Sequence, residues 1–136
     1  SFSIWAKDGT LIFDSGNAFE NVISRRSPQL FNANGSMEKA DDRSDDKGPE
    51  PEALALGEID GRTYAFIGME RNNAIFAYDI TLPSDPHMVG YMMPSSAHNS
   101  PEGLEFISSA DSPTGKPLLA IAYEMTGTVA VYEISH

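Results

Sequence analysis

Two glutamates sit where spacing alone can assign them chemistry. Pro51-Glu52-Ala53-Leu54 and Pro101-Glu102-Gly103-Leu104 repeat Pro, Glu and Leu at the same relative positions, fifty residues apart, and each Glu opens an apolar run. Carboxylates that begin equivalent strands arrive at one depth of an assembly, which suits Ca²⁺ with its demand for about six to eight oxygens. Without a cation they repel each other, so the pattern implies a bound ion or raised pKa values. The competing role is capping of neighbouring backbone N–H groups, and both roles stay open at this point.

Acid is densest elsewhere. Residues 41–52 carry six acids and two bases. Against an EF-hand loop starting at Asp42 the run fails, with Lys47 where Gly is needed and Ala53 in place of the closing Glu. A non-standard Ca²⁺ loop through Asp41, Asp42, Asp45 and Asp46 competes with a plain solvated surface. His98, four residues before Glu102, is the histidine placed to act beside it as general base or metal ligand; His87 lies in a Pro-flanked turn and His136 is terminal. Neither a Gly-x-Ser-x-Gly elbow nor a phosphate-cradling Gly-rich loop occurs. Arg25-Arg26 reads as a surface pair neutralised by the acidic loop, with binding of an anion such as phosphate as the alternative. Glu70 and Glu124 read as loop-facing strand ends, and Trp5, Tyr78 and Tyr132 as packing between repeats.

The elements that position these residues come from the same repeat. Residues 61–70 and 74–80 recur fifty-four residues later as 115–124 and 128–134. Short strands in a unit of about 40 to 50 residues are the sequence sign of a propeller blade. The expected fold is all-β: a partial β-propeller of about two and a half four-stranded antiparallel blades. Residues 1–17 form the outer strands of one blade, 18–50 a short helix and an acidic loop, 51–94 a complete blade, and 101–135 three strands of the last. Phe19, Val22 and Ile23 share one helical face, predicting a helix over 18–26. Leu30, Phe31 and Met37 are the apolar residues available to anchor the polar stretch 27–51. A propeller closes with about four to eight blades, so the expected partner is the remainder of a parent propeller or another chain that completes the ring. The alternative is an open antiparallel sandwich of nine strands.

The 136 residues carry a net charge of −11, which repels phosphates of nucleic acid and anionic lipid and favours divalent cations. No apolar run approaches the length of a membrane span. The absence of Cys excludes disulfides and thiolate chemistry and leans toward an exported bacterial protein. The start, Ser1-Phe2-Ser3-Ile4-Trp5, is neither a basic leader nor an initiator Met, as expected of a processed or excised chain.

The strings Asp45-Asp46-Lys47-Gly48-Pro49-Glu50-Pro51-Glu52, Gly61-Arg62-Thr63-Tyr64-Ala65-Phe66-Ile67-Gly68 and Asn99-Ser100-Pro101-Glu102-Gly103-Leu104 resemble the C-terminal part of the choice-of-anchor I family. The resemblance implies an exported bacterial β-propeller, often labelled alkaline-phosphatase-like, in a secreted, periplasmic or cell-surface location. Pro-Glu-Gly also resembles channel motifs of phytase-like and lactonase-like propellers, where Glu contributes to Ca²⁺ or substrate sites; only Glu52 and Glu102 carry over on that basis. Two functions follow as expectations. One is part of a Ca²⁺-dependent phosphoesterase-like hydrolase acting on a phosphoester; the other is a non-catalytic surface scaffold binding protein or glycan.

Overall fold

The computed structural model describes residues 1–35 and 37–135, so His136 lies outside the described residues. The chain is all-β, with nine strands among the described residues in three antiparallel sheets of two, four and three strands. Strands β1 (Ser3–Trp5) and β2 (Leu11–Asp14) pair with each other. Helix α1 (Ala18–Arg26) follows, then two 3₁₀ turns at Pro28–Leu30 and Met37–Lys39. The four-stranded sheet runs β3 (Pro51–Ile59), β4 (Arg62–Met69), β5 (Ala74–Asp79) and β6 (His87–Met92) in sequence order. The three-stranded sheet runs β7 (Pro101–Ile107), β8 (Leu118–Tyr123) and β9 (Thr128–Glu133).

Turn chemistry fixes these registers. Asp60 and Gly61 both have positive φ, 51° and 76°, and join Ile59 to its partner Arg62 as a two-residue hairpin. Asn73 at 59° and Gly127 at 60° occupy the corresponding turns between β4 and β5 and between β8 and β9. β3 is longer than its apolar run suggests. Gly57, Glu58 and Ile59 continue the in–out alternation, so pairing with β4 persists to Ile59.

Two apolar layers hold the sheets together. On one side of the four-stranded sheet Phe19 and Ile23 of α1 pack on Ile67, Met69, Phe76 and Tyr78. Phe2, beside β1, joins them with its ring 4.9 Å from Tyr78, so this tyrosine packs between units as its repeat position predicts. On the other side Ala55, Phe66 and Ile75 meet Leu119, Ile121 and Tyr123 of the three-stranded sheet. β7 lies against β3, where Phe66 and Phe106 stack with centroids 5.9 Å apart. A Cβ at Gly57 would fall 2.5 Å from the Phe106 ring, so the close approach of these strands requires glycine there.

Some apolar faces are uncovered. Leu54 and Leu56 pair with Ile67 and Ala65 and so share the face that α1 covers, yet they are 59% and 58% exposed. Their counterparts one repeat on, Leu104 and Phe106, pack against the four-stranded sheet. On the far side of the three-stranded sheet Val129 is 70% exposed.

Of the apolar anchors expected between α1 and β3, Phe31 packs against the core of the four-stranded sheet, and the rest of the segment is held differently. Met37 is 64% exposed and anchors nothing, whereas Asn32, Ala33 and Pro49 are buried. Polar bonds explain this: Asn72 donates its side-chain amide to Leu30 C=O, Arg71 N–H bonds Pro49 C=O at 3.2 Å, and Asp41 N–H bonds Phe31 C=O at 2.8 Å. Arg26 does not neutralise the acidic loop, because its guanidinium lies over the Tyr91 ring 5.6 Å from the centroid. The loop's own Arg43 and Lys47 pair with Glu50 instead. No helix among the described residues is long and apolar enough to cross a membrane.

Candidate carboxylate site at the strand starts

Glu52 and Glu102 each occupy a β-bulge. In β3 the register runs Pro51↔Met69 then Ala53↔Gly68, leaving Glu52 as the extra residue; in β7 it runs Pro101↔Tyr123 then Gly103↔Ala122, leaving Glu102. A bulge bends its strand and re-aims a side chain. The residue before each Pro is also special, since Glu50 and Ser100 have φ of 55° and 67°. Left-handed backbone is strained for a non-glycine residue and is unfavourable before proline. Both positions are stabilised in the same way: Glu50 C=O accepts from Glu70 N–H at 2.9 Å, and Ser100 C=O accepts from Glu124 N–H at 2.8 Å. One strained motif is thus built twice, and each time it brings the glutamate after the second strand to the bulged glutamate.

Five glutamates meet as a result. Glu50, Glu52 and Glu70 each offer an oxygen within 4.8 Å of the others, and so do Glu70, Glu102 and Glu124. Glu70 belongs to both groups, is only 3% exposed, and accepts from Ser100 Oγ at 3.3 Å across the two sheets.

The two groups differ in charge balance. Glu50 is an ion-pair hub, with Arg43 at 2.5 Å, Arg71 at 2.8 Å and Lys47 at 3.2 Å. Burial alone would raise its pKa, but hydrogen bonds from Arg71 and Lys47 and the charge of Arg43 carry it below the ordinary range. Glu70 moves the other way. Burial raises it, and its contact with Arg71 at 2.8 Å offsets that only in part. Glu102 is also raised, first by the charge of Glu124, then by desolvation, by a hydrogen bond with Glu124 and by the charge of Glu52. Among the described residues Glu52, Glu102 and Glu124 have no ion pair within 4.0 Å.

Oxygens up to 4.8 Å apart suit a Ca²⁺ ion bound at about 2.3–2.6 Å. The Glu50 group already holds three protein cations, so the Glu70–Glu102–Glu124 group is the better cation acceptor. Beside it lies a cavity of about 400 Å³ lined by Lys39, Glu70, Arg71, Asn99 and Ser100.

The other sequence candidates are placed elsewhere. Asp41, Asp42, Asp45 and Asp46 are all exposed, and no three of their carboxylates gather within 4.8 Å of one another. His98 belongs to neither glutamate group; its Nδ1 lies 2.9 Å from Thr128 Oγ1 and its ring stacks on Tyr123 with centroids 5.0 Å apart. Reading Glu70 and Glu124 as loop-facing missed both. The available signal was their repeat equivalence, taken with the hairpin that returns each of them to the start of the preceding strand.

A left-handed residue, Pro and a bulged Glu opening paired antiparallel strands, built twice in one chain, define a repeat-built all-β domain with an acidic strand-start site. The chain belongs to the choice-of-anchor I family, whose domain matches residues 1–83. It is similar to Gigasin-3a of Magallana gigas, 31% identical over 144 residues, a match covering 90% of this chain and 51% of that protein. It is also similar to the mesenchyme-specific cell surface glycoprotein of Strongylocentrotus purpuratus, 31% identical over 80 residues, covering 52% of this chain and 10% of that protein. The chain therefore spans about half the length of the first relative and a tenth of the second. No solved structure matches it.

Proposed function

We propose that this chain is part of a β-propeller in an exported or surface protein, and that it binds Ca²⁺ through Glu70, Glu102 and Glu124 with Glu52 at the rim. The ion locks adjacent blades together and makes the domain a calcium-stiffened scaffold. The observation that carries the reading is the convergence of glutamates separated by up to 72 residues onto one buried carboxylate. The propeller reading draws support from uncovered Leu54 and Leu56, whose counterparts one repeat later are packed. The partner is then the rest of the parent ring, in the C-terminal part of which this chain lies. Surface location draws support from the sea-urchin relative, a cell surface glycoprotein.

A second reading, the Ca²⁺-dependent phosphoesterase, is favoured by the cavity beside Glu70. Lys39 and Arg71 line it next to the proposed ion, so a phosphoester has both a cationic wall and a Lewis acid. His98 faces Thr128 and lies outside that cavity, so a carboxylate would serve as the base.

Calorimetric titration with CaCl₂ tests the ion. The wild-type chain should bind it saturably, and Glu102→Gln/Glu124→Gln should not. Equal heats from the two proteins would remove the site. Ca²⁺-dependent hydrolysis of p-nitrophenyl phosphate by the parent protein, lost in the same double variant, would favour the esterase; binding without turnover favours the scaffold.

A further inference from the structure

Asp85–Pro86 is the only Asp–Pro bond in the sequence, and His87 follows it directly. It lies in the connection between β5, which ends at Asp79, and β6, which begins at His87. Asp85 N–H closes a turn on Leu82 C=O at 2.9 Å, so the chain enters this bond from a turn and not from a ladder. The Asp85 and His87 side chains are 64% and 68% exposed, and His87 Nε2 lies 3.3 Å from Asp85 Oδ2. An exposed pair of this kind adds little to stability. Its consequence is chemical.

An aspartate reaches its own main-chain carbonyl by closing a five-membered ring, and groups held this close react as if at very high concentration. Proline has no N–H to anchor the peptide in a ladder, and its nitrogen leaves as a secondary amine. Glu50–Pro51 is the contrast within the chain. Its ring would have six members, and its carboxylate is already held by Arg43, Lys47 and Arg71. Asp85 meets His87 alone, through Oδ2, which leaves Oδ1 free to attack.

We propose that Asp85–Pro86 is a self-cleavage site, with Asp85 as nucleophile and His87 as proton donor. Asp85 Oδ1 attacks the Asp85 carbonyl carbon, a C–O bond forms, and a cyclic anhydride closes as the C–N bond to Pro86 breaks. The electron pair of the broken bond stays on Pro86 N, which takes the proton of the His87 imidazolium. Water then opens the anhydride, leaving two carboxyl groups on Asp85 and a new N-terminus at Pro86; one water is consumed. The step needs an ionised carboxylate together with a protonated imidazole, which ordinary groups of these kinds supply between about pH 4 and 6.5. The charged group facing His87 from β5 is Asp79, its partner across the ladder, and Arg62 neutralises that carboxylate. Cleavage leaves the sheet assembled, because β6 stays paired with β5 from Met92 to His87 and Tyr91 stays packed on Phe76. The site is independent of calcium and of the strand-start glutamates.

The test is mass spectrometry of the parent protein after incubation at about pH 5. Chain ends at Asp85 and Pro86 should accumulate roughly tenfold faster in the folded protein than in the same protein unfolded in urea, since folding holds the pair in contact. His87→Gln should slow the cut by roughly tenfold or more, and Asp85→Ala should abolish it. Hydroxylamine present during the incubation should capture the anhydride as a hydroxamate on Asp85. An uncut protein would overturn the proposal, as would equal rates in the folded and unfolded protein. Cleavage indifferent to His87→Gln, cleavage persisting in Asp85→Ala, or a cut without any hydroxamate would overturn it equally.

Discussion

The acidic loop 41–46 and the glutamates at the strand starts carry the same chemical groups to opposite ends. Four aspartates packed into six residues are all exposed. Glu70, Glu102 and Glu124 are scattered along the chain, yet they converge within 4.8 Å. Closeness in sequence lets like charges point apart into water, where screening makes their repulsion small. A β-bulge and a hairpin turn, by contrast, force distant carboxylates together. Charge that the fold compels to meet is the better guide to a site than charge that merely clusters in the sequence.

The largest effect that sharpens this comparison is at Glu50, where three cations converge on a carboxylate that is only 13% exposed. Glu50→Ala should cost about 3 kcal/mol in denaturant unfolding, because it strands partly buried guanidinium groups. A loss below about 1 kcal/mol would mean that the hub is as weak as an exposed pair.

Next in size is calcium. At a hundred times Kd the ion should add about 2.7 kcal/mol of stability. Glu102→Gln/Glu124→Gln should abolish that gain, whereas replacing Asp41, Asp42, Asp45 and Asp46 together by Asn should leave it intact. The reverse pattern would break the comparison outright.

Acid titration gives a smaller effect with a definite sign. Glu70 and Glu102 have raised pKa values in the fold, so their contribution is fully present below the ordinary Glu value and is lost as pH rises through the folded value. Without calcium the melting temperature should therefore rise as pH falls from 7 toward the carboxylate range, and with calcium this rise should flatten. Asp79 runs oppositely. Hydrogen bonds from Thr81 and the Arg62 guanidinium hold it down to about 2, so its contribution is present above 3.8 and is lost as pH falls toward 2. An apo melting curve that falls steadily from pH 7 downward would contradict the assignment at Glu70 and Glu102. Smallest of all, the four loop aspartates changed to Asn should shift calcium-free stability by no more than about 0.5 kcal/mol.

Much of the fold was legible because strands and turns are written locally. The β8 bounds follow directly from the apolar run Leu118–Tyr123, and α1 from the spacing of Phe19, Val22 and Ile23. Glu52 and Glu102 were legible through their repeated Pro. Glu70 and Glu124 were not, because bulge geometry depends on cross-strand register, which single-strand patterns do not carry. The loop misled for a related reason. Met37 looked like an anchor by hydropathy, but Asn72 and Arg71, from the β4–β5 turn, hold that segment through polar bonds.

The central claim is tested most directly by X-ray diffraction from crystals of the chain grown with CaCl₂, with the calcium located by its anomalous scattering. An anomalous peak should lie about 2.3–2.6 Å from carboxylate oxygens of Glu70, Glu102 and Glu124. A peak at Asp41–Asp46, or none between β3 and β7, would contradict it.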